Sequence, residues 1–407
     1  MITIHQDTII KKNVAIMWFA NFFIAGSITM VLPFLSLYIN TLGDYSEAYV
    51  QNWSGIIFSV TFVTAFIFSP IWGKIGDRFG RKPILVAFGF GLGLSVFFMG
   101  FVTSIAQLFF LRLFMGIFTG FVSMSQALIA TQTSKKMAGK VLGTLQTGSV
   151  TGTLLGPLIG GVLADAFGYA ATFKWLALFL FFSSFLVLFG VNEYRIKEED
   201  QPTRFSSKQV ILHILRHPML LIVMLISMVV QIAHFSVQPI LSLYVGQING
   251  PENIALASGI AFSAAGLGNL LMARKWGAIG DRIGYVKLLS LLLFYAAAVY
   301  FPAGFVTSLW QLVILRFLLG VAIGGIIPVR IAYIRQEAPI AMQGEVLGYN
   351  TSIRFLGNVI GPLIGGAISA GFGFSAVFVL TSTLLFISGI GMVFAQKQYP
   401  RHVANQH

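Results

Sequence analysis

Four landmarks occur twice in this 407-residue chain, in the same order and about 204 residues apart. Trp72-Gly-Lys-Ile-Gly-Asp-Arg-Phe-Gly80 returns as Trp276-Gly-Ala-Ile-Gly-Asp-Arg-Ile-Gly284, and Gln107-Leu-Phe-Phe-Leu-Arg112 as Gln311-Leu-Val-Ile-Leu-Arg316. Gly156-Pro-Leu-Ile-Gly-Gly161 returns as Gly361-Pro-Leu-Ile-Gly-Gly366, and Pro33-Phe-Leu-Ser-Leu-Tyr38 as Pro239-Ile-Leu-Ser-Leu-Tyr244. A chain built this way is a duplicated unit. In a strongly apolar sequence, two like halves commonly flank one shared site that opens alternately to either side.

The chain is 57% apolar and 10% charged, with a mean hydropathy of +0.85, whereas soluble domains carry about 25% charge. Its length holds roughly twelve spans of about 20 residues. Apolar stretches are centred on 14–39, 51–72, 84–102, 106–130, 141–164 and 172–191, and again on 218–246, 254–273, 286–305, 308–334, 345–370 and 374–395. The expected fold is an all-α integral membrane protein of 12 transmembrane helices in two pseudo-twofold-related six-helix bundles. The bundles are 1–191 and 218–407, joined by a polar, solvated linker over 192–217.

The formal net charge of +13 suggests nucleic acid in a soluble protein, but its distribution points to a bilayer. Lys11, Lys12, Lys74, Arg78, Arg81, Lys82, Lys135, Lys136, Lys140, the linker, Arg274 to Lys287, Lys397 and Arg401 all fall on one side of the expected topology. The alternate loops hold Asp44, Glu47, Asp165 and Glu252 but no Lys or Arg. This positive-inside bias places both termini in the cytoplasm of a multi-pass plasma-membrane protein and argues against nucleic acid. The first apolar stretch is too long for a removed signal peptide. Cysteine is absent and only His234 among six histidines lies in a span, so no metal cluster is expected. No GxxxxGK[ST] phosphate loop is present, and no cofactor is implied.

The segment Gly73–Pro83 reads as a charged loop that reverses the chain, with Gly73, Gly76 and Gly80 permitting positive φ. Asp77 suits the N-H groups opening a neighbouring helix, where the dipole favours an anion. In the second copy the same parts are Asp281 and Arg282.

Gly73-Lys-Ile-Gly-Asp77-Arg78-Phe-Gly80-Arg81-Lys82 resembles the signature between helices two and three of the major facilitator superfamily. Leu111-Arg112-Leu-Phe-Met-Gly116 is similar to its helix-four motif. Gly152-Thr-Leu-Leu-Gly156-Pro157-Leu-Ile-Gly160-Gly161 resembles the helix-five "antiporter" motif of its drug exporters. The chain as a whole resembles the MdtG/PmrA type of twelve-helix drug:proton antiporters. The resemblance implies that Asp77 locks the cytoplasmic ends of the halves in one state, with Arg78 and Arg81 as charge partners. It also implies that Arg112 takes part in proton coupling, and that Gly156 and Pro157 bend helix five. Independently, Pro157 removes one backbone bond and the glycines permit close helix approach.

No carboxylate lies squarely within a span; Asp165 and Glu345 come nearest. The intramembrane ionisable residues are Arg112, Arg316, Arg330, Arg354 and His234. Arg112 and Arg316 are repeat equivalents, whereas Arg330 aligns with Gln126 and Arg354 with Ser149. Arg330, near a helix end, reads as a snorkelling residue. Arg354 is about ten residues into its helix, or about 15 Å, with Asn350 and Asn358 on the same face. It is expected to line the cavity and to favour anionic or strongly polar substrates. Asn21, Gln126, Gln231 and His234 are further cavity candidates, with Trp18, Phe22, Phe23, Phe118, Phe121 and Phe235 as an apolar wall. His234 is the one span residue suited to titrate near neutral pH and carry the proton, the alternative being an ordinary hydrogen-bonded buried histidine.

The function expected from these residues and from the resemblance is proton-coupled efflux of amphiphilic drugs by alternating access. It involves small-molecule substrates, protons and the bilayer, and a single duplicated chain suffices. The alternatives are a nutrient or metabolite importer or uniporter on the same fold, and a non-transporting membrane receptor. An enzyme is disfavoured because no catalytic grouping assembles within the spans.

Overall fold

The computed structural model describes residues 2–133, 135–194, 207–339 and 342–399; the side chains of residues 2–8, Asp77, Lys135, Lys136, Ala138 and Lys140 lie outside this description. The first half contains α1 (Ile2–Met30), α2 (Leu35–Asn40), α3 (Glu47–Phe79), α4 (Lys82–Met99), α5 (Ile105–Ile117), α6 (Phe121–Gln132), α7 (Lys135–Phe167) and α8 (Tyr169–Gly190). After α9 (Ser207–Arg216), the second half contains α10 (Pro218–Val237), α11 (Leu241–Asn249), α12 (Ile254–Ile283), α13 (Tyr285–Ala303), α14 (Leu309–Glu337), α15 (Gln343–Phe372) and α16 (Phe374–Gln398). Among the described residues, 12 helical segments are long and apolar enough to cross a membrane, α5 and α6 together forming one of them.

Buried apolar side chains gather into two clusters, one drawn almost wholly from α1–α8 and the other from α9–α16. Hydrogen bonds repeat between the clusters with the sequence. The Trp72 indole donates to the Ile117 carbonyl and the Trp276 indole to Val321, both at 2.8 Å. The Tyr38 hydroxyl donates to Met99 (2.9 Å) and the Tyr244 hydroxyl to Ala303 (3.1 Å). These matched bonds express the pseudo-twofold relation as geometry.

Three expectations change. The stretches centred on 14–39 and 218–246 are each two helices, because the paired Pro33 and Pro239 interrupt them. Thus α1 ends at Met30, and Val31 accepts the Phe34 and Leu35 amides before α2 starts. The segment read as the loop Gly73–Pro83 is mostly helix. Only Gly80 (φ 99°) and, in the repeat, Gly284 (φ 89°) use the left-handed region, so the reversal needs one glycine and not three. Gly73 and Gly76 lie within α3. The linker is not wholly solvated either. Val210 and Ile214 of α9 are buried, and α9 packs on α10 and α15. The linker charges from Arg195 to Asp200 lie outside the described residues.

A side chain at position 80 would be strained and would meet the Glu193 carboxylate, whereas one at position 73 would meet nothing within 4 Å. Gly80→Ala is therefore expected to cost about 1–2 kcal/mol. Gly73→Ala is expected to be neutral or to stabilise by up to about 1 kcal/mol. Thermal melting of the two variants in detergent checks the difference.

Candidate functional site

The two halves meet along two symmetry-related helix pairs, α7 with α12 and α3 with α15. The meeting depends on glycine. A Cβ on Gly55 would sit 2.3 Å from the Pro362 carbonyl, and one on Gly259 would sit 2.4 Å from Pro157. On Gly161 it would lie 2.4 Å from the Ala255 carbonyl, and on Gly366 2.7 Å from Gln51. These four positions pair off in the internal repeat. Serines stitch the same seam: Ser59 Oγ donates to the Val359 carbonyl and its counterpart Ser263 Oγ to Leu154, both at 2.7 Å. Between α2 and α11, the buried Ser36 donates to Pro239, and its counterpart Ser242 donates to Leu32 (3.2 Å). Phe62 and Phe235 meet edge to face across the halves at 5.2 Å.

One seam contact is charged and unmatched. Asp165, at the end of α7, accepts the Ala255 and Leu256 amides of α12 (3.3 and 2.7 Å). The Asn253 side chain does not cap α12, so its N-terminus takes its carboxylate from the other half. In the repeat, position 370 is alanine, and α3 is capped by its own Ser46.

At the opposite face, which carries the Gly-Asp-Arg turns, no such closure exists among the described residues. Cβ atoms on Gly139 and Gly143 of α7, or on Gly344 and Gly348 of α15, would meet nothing within 4 Å. The seam is thus shut at one face and parted at the face of the turns.

At those turns, the Arg81 and Lys82 amides donate to the Glu193 carboxylate at 2.8–3.0 Å, capping α4. The Arg81 guanidinium donates to the Ala127 carbonyl and to Thr131 Oγ1 (3.3 Å). Arg78 is exposed over the Phe79 ring, and Arg282 is exposed. Asp281 accepts a hydrogen bond from the Tyr285 hydroxyl on the next helix of its own half. The Asp77 side chain, named as the lock, lies outside the described residues. Glu193 was missed by sequence reasoning because it was counted among the solvated linker charges, although it stands just beyond α8.

Arg112 and Arg316 occupy equivalent buried places, each over a paired ring: Phe58 at 6.0 Å and Phe262 at 5.6 Å. Arg316 also donates to the Ala261 carbonyl (3.4 Å). A charge at the centre of a span costs about 2.5–3.5 kcal/mol on insertion scales, so each arginine needs such compensation.

Gly152, Gly156 and Gly160 press on α1, where Cβ atoms would reach Phe22, Thr29 and Met30; Gly161 faces α12 and Pro157 lies inside α7. Of the cavity candidates in the first half, Asn21 donates to Ser125 Oγ (2.9 Å), and Gln126 donates to Gln146. In the second half, Gln231 donates to Asn358 (2.9 Å), and His234 pairs with Gln238 one turn on (3.1 Å). Asn350 is buried, and Arg354 is half-buried with its Nε unpartnered. Arg330 departs from expectation: it is 1% exposed and does not snorkel. The aromatic wall is also smaller than expected. Phe23 packs on Phe179 and Phe182 of α8, and Phe121 is fully buried. The seam serines were missed too, though polar residues matched between copies within spans were a signal for them.

Two equivalent helical bundles around a seam shut at one end, with polar groups along its length, define a membrane carrier. The chain belongs to the Major Facilitator Superfamily, whose sequence profile matches residues 17–284 and 235–406. It is 52% identical over 382 residues to the "Uncharacterized MFS-type transporter YuxJ" of Bacillus subtilis, covering 94% of this chain and 97% of that protein. It is 40% identical over 386 residues to multidrug resistance protein MdtG of Escherichia fergusonii, covering 93% of each. In fold it is similar to a bacterial homolog of the human lysosomal transporter Spinster in an inward-facing, occupied conformation. That likeness has a TM-score of 0.79 at 14% identity and covers 96% of this chain and 97% of that one. The protein is a transporter and not an enzyme.

Hydrogen bonds to a charged acceptor contribute about 1.5–3 kcal/mol, so Asp165→Ala is expected to move the population at least about tenfold toward opening of the Asp165 face. Ser46→Ala, which removes a cap inside one half, is expected to leave the population unchanged. The chain lacks cysteine, so spin labels at Ala106→Cys and Trp310→Cys report the opening as a lengthened distance.

Proposed function

We propose that this transporter is a multidrug exporter of the plasma membrane, driven by protons and working by alternating access. The observation that carries the reading is identity of 38–40% with MdtG multidrug resistance proteins over 93% of the chain. The helix-five glycines that touch α1 and α12 lie within that stretch. The basic turns and both termini face the cytoplasm in this reading, so the parted end of the seam admits drug from the cell interior. Trp18 stacked on Phe22 and the amide-bearing side chains of α1, α6 and α10 offer apolar and hydrogen-bonding surface to amphiphiles.

Rocking the halves then breaks the Ser59, Ser263, Ser36, Ser242 and Asp165 contacts and presents the drug to the outside. The asparagine, glutamine and serine pairs are neutral, so they can exchange internal bonds for bonds to a drug without stranding a buried charge. Proton entry in the outward-open state weakens drug binding and permits the return. Arg112 and Arg316 take part in this coupling by carrying fixed positive charge beside the seam helices. The membrane potential adds about 2.3 kcal/mol per charge per 100 mV.

In proteoliposomes, a fluorescent amphiphile is expected to move against its gradient when ΔpH is imposed, with the rate falling to the leak level when an ionophore removes it. Flux that only equalises concentrations, indifferent to ΔpH, would identify a uniporter and overturn the reading.

A further inference from the structure

We propose that Arg330 and Arg354 form a site for an oxyanion head group, a carboxylate or phosphate, carried by the substrate. The inference rests on the transporter reading above and names the charge that its substrate brings.

Arg330, on α14, has its Nε, Nη1 and Nη2 all buried without a hydrogen-bond partner. Arg354, on α15, which packs against α14, has its Nε buried and unpartnered. Among the described residues neither has an ion-pair partner. The other two buried arginines, Arg112 and Arg316, have more around them: both lie over aromatic rings and Arg316 also reaches a carbonyl, although Arg112 Nε and Nη2 are likewise without a hydrogen-bond partner. Arg330 has no such ring or carbonyl.

The internal repeat supplies a control. At the equivalent places in the first half stand Gln126 and Ser149. Gln126 donates to Gln146, and Ser149 Oγ donates to the Gln146 carbonyl at 3.1 Å. One half therefore holds a neutral, internally satisfied pair where the other holds two like charges with idle donors. Two like charges without a counter-ion, one buried and one half-buried, are unfavourable, and an oxyanion that both reach removes the repulsion and the unmet hydrogen bonds. Guanidinium forks suit carboxylate and phosphate oxygens.

Sequence neighbours of Arg354 border a cavity that can take the rest of the ligand. Thr351 and Phe355 line a space of about 440 Å³ shared with Ala65, Trp72, Arg81 and Met124 of the first half, although Arg330 and Arg354 are not among its lining residues. That volume and its mainly apolar lining suit a small hydrophobic body. The buried Asn350 Oδ1, one turn before Arg354, is also unpartnered and can accept a bond from a ligand hydroxyl or amide.

The test uses a matched series, 1-naphthoate, its primary amide and 1-naphthylmethylamine, titrated calorimetrically into the purified full chain in phosphatidylcholine nanodiscs. Wild type is expected to bind the carboxylate about tenfold or more tightly than the amide. Arg330→Gln and Arg354→Gln are expected to abolish that gap by weakening carboxylate binding far more than amide binding, with an unchanged melting temperature in the absence of ligand showing that the variants are folded. Inorganic phosphate is expected to raise the melting temperature of wild type but not of the double variant. Carboxylate binding no tighter than the amide, or a preference that survives in the double variant, overturns the site. Loss of the preference when phosphatidylglycerol is added makes a lipid phosphate the occupant and overturns the assignment to substrate. Drug efflux is read separately: proton-driven flux of the amine and amide with no carboxylate preference removes this site and leaves the exporter reading intact. Arg-dependent carboxylate binding without proton-driven flux does the reverse.

Discussion

The structure depends on backbone meeting backbone across the α7–α12 and α3–α15 seam. In a bilayer, lipid tails are as apolar as leucine, so helices gain nothing from hydrophobic exclusion; close approach and interhelical hydrogen bonds hold them instead. Glycine at 55, 161, 259 and 366 brings carbonyls to distances that a methyl group would forbid. Ser59 and Ser263 then reach carbonyls on the partner helix. Such bonds contribute about 0.6 kcal/mol each on average. A seam of several weak, matched bonds is stable enough to close and cheap enough to open, as a carrier requires.

The duplication explains why the closure is balanced. Each bundle presents one helix of the helix-five kind and one of the helix-two kind, so the seam consists of two copies of one contact. Trp72 and Trp276 tie the helix-two elements to helices four and ten in the same way. Arg112 with Phe58 and Arg316 with Phe262 repeat a second internal junction. These matched features belong to the architecture and keep each bundle rigid while the seam changes.

Specialisation lies where the copies differ. Asp165 has no counterpart at Ala370, so the closure at the Asp165 face is charged on one helix pair only. Arg330 and Arg354 stand against Gln126 and Ser149, so the interior is electrostatically lopsided toward the second half. The α5–α6 break after Ile117 faces an unbroken α14 that contains Pro328. Duplication yields the matched closure, and these positions are where the two halves stop being equivalent.

The amino-acid sequence by itself determined the twelve spans, the duplicated plan and the superfamily. Each of these is local: hydropathy over twenty residues, a proline, or a motif repeated at fixed offset. It did not determine which face each helix turns to its neighbours. Arg330 looked like a snorkelling end residue because its height in the membrane is legible, whereas its rotation toward α15 is set by tertiary contact. Gly73 and Gly76 looked like loop residues because their helical conformation depends on α3 continuing past the apolar stretch to Phe79. Glu193 capping α4, and Asp165 capping a helix of the other half, join residues far apart in the chain. Only the folded arrangement could bring those carboxylates to open amides, because hydrogen-bond partners are chosen by distance in space and not by position in sequence.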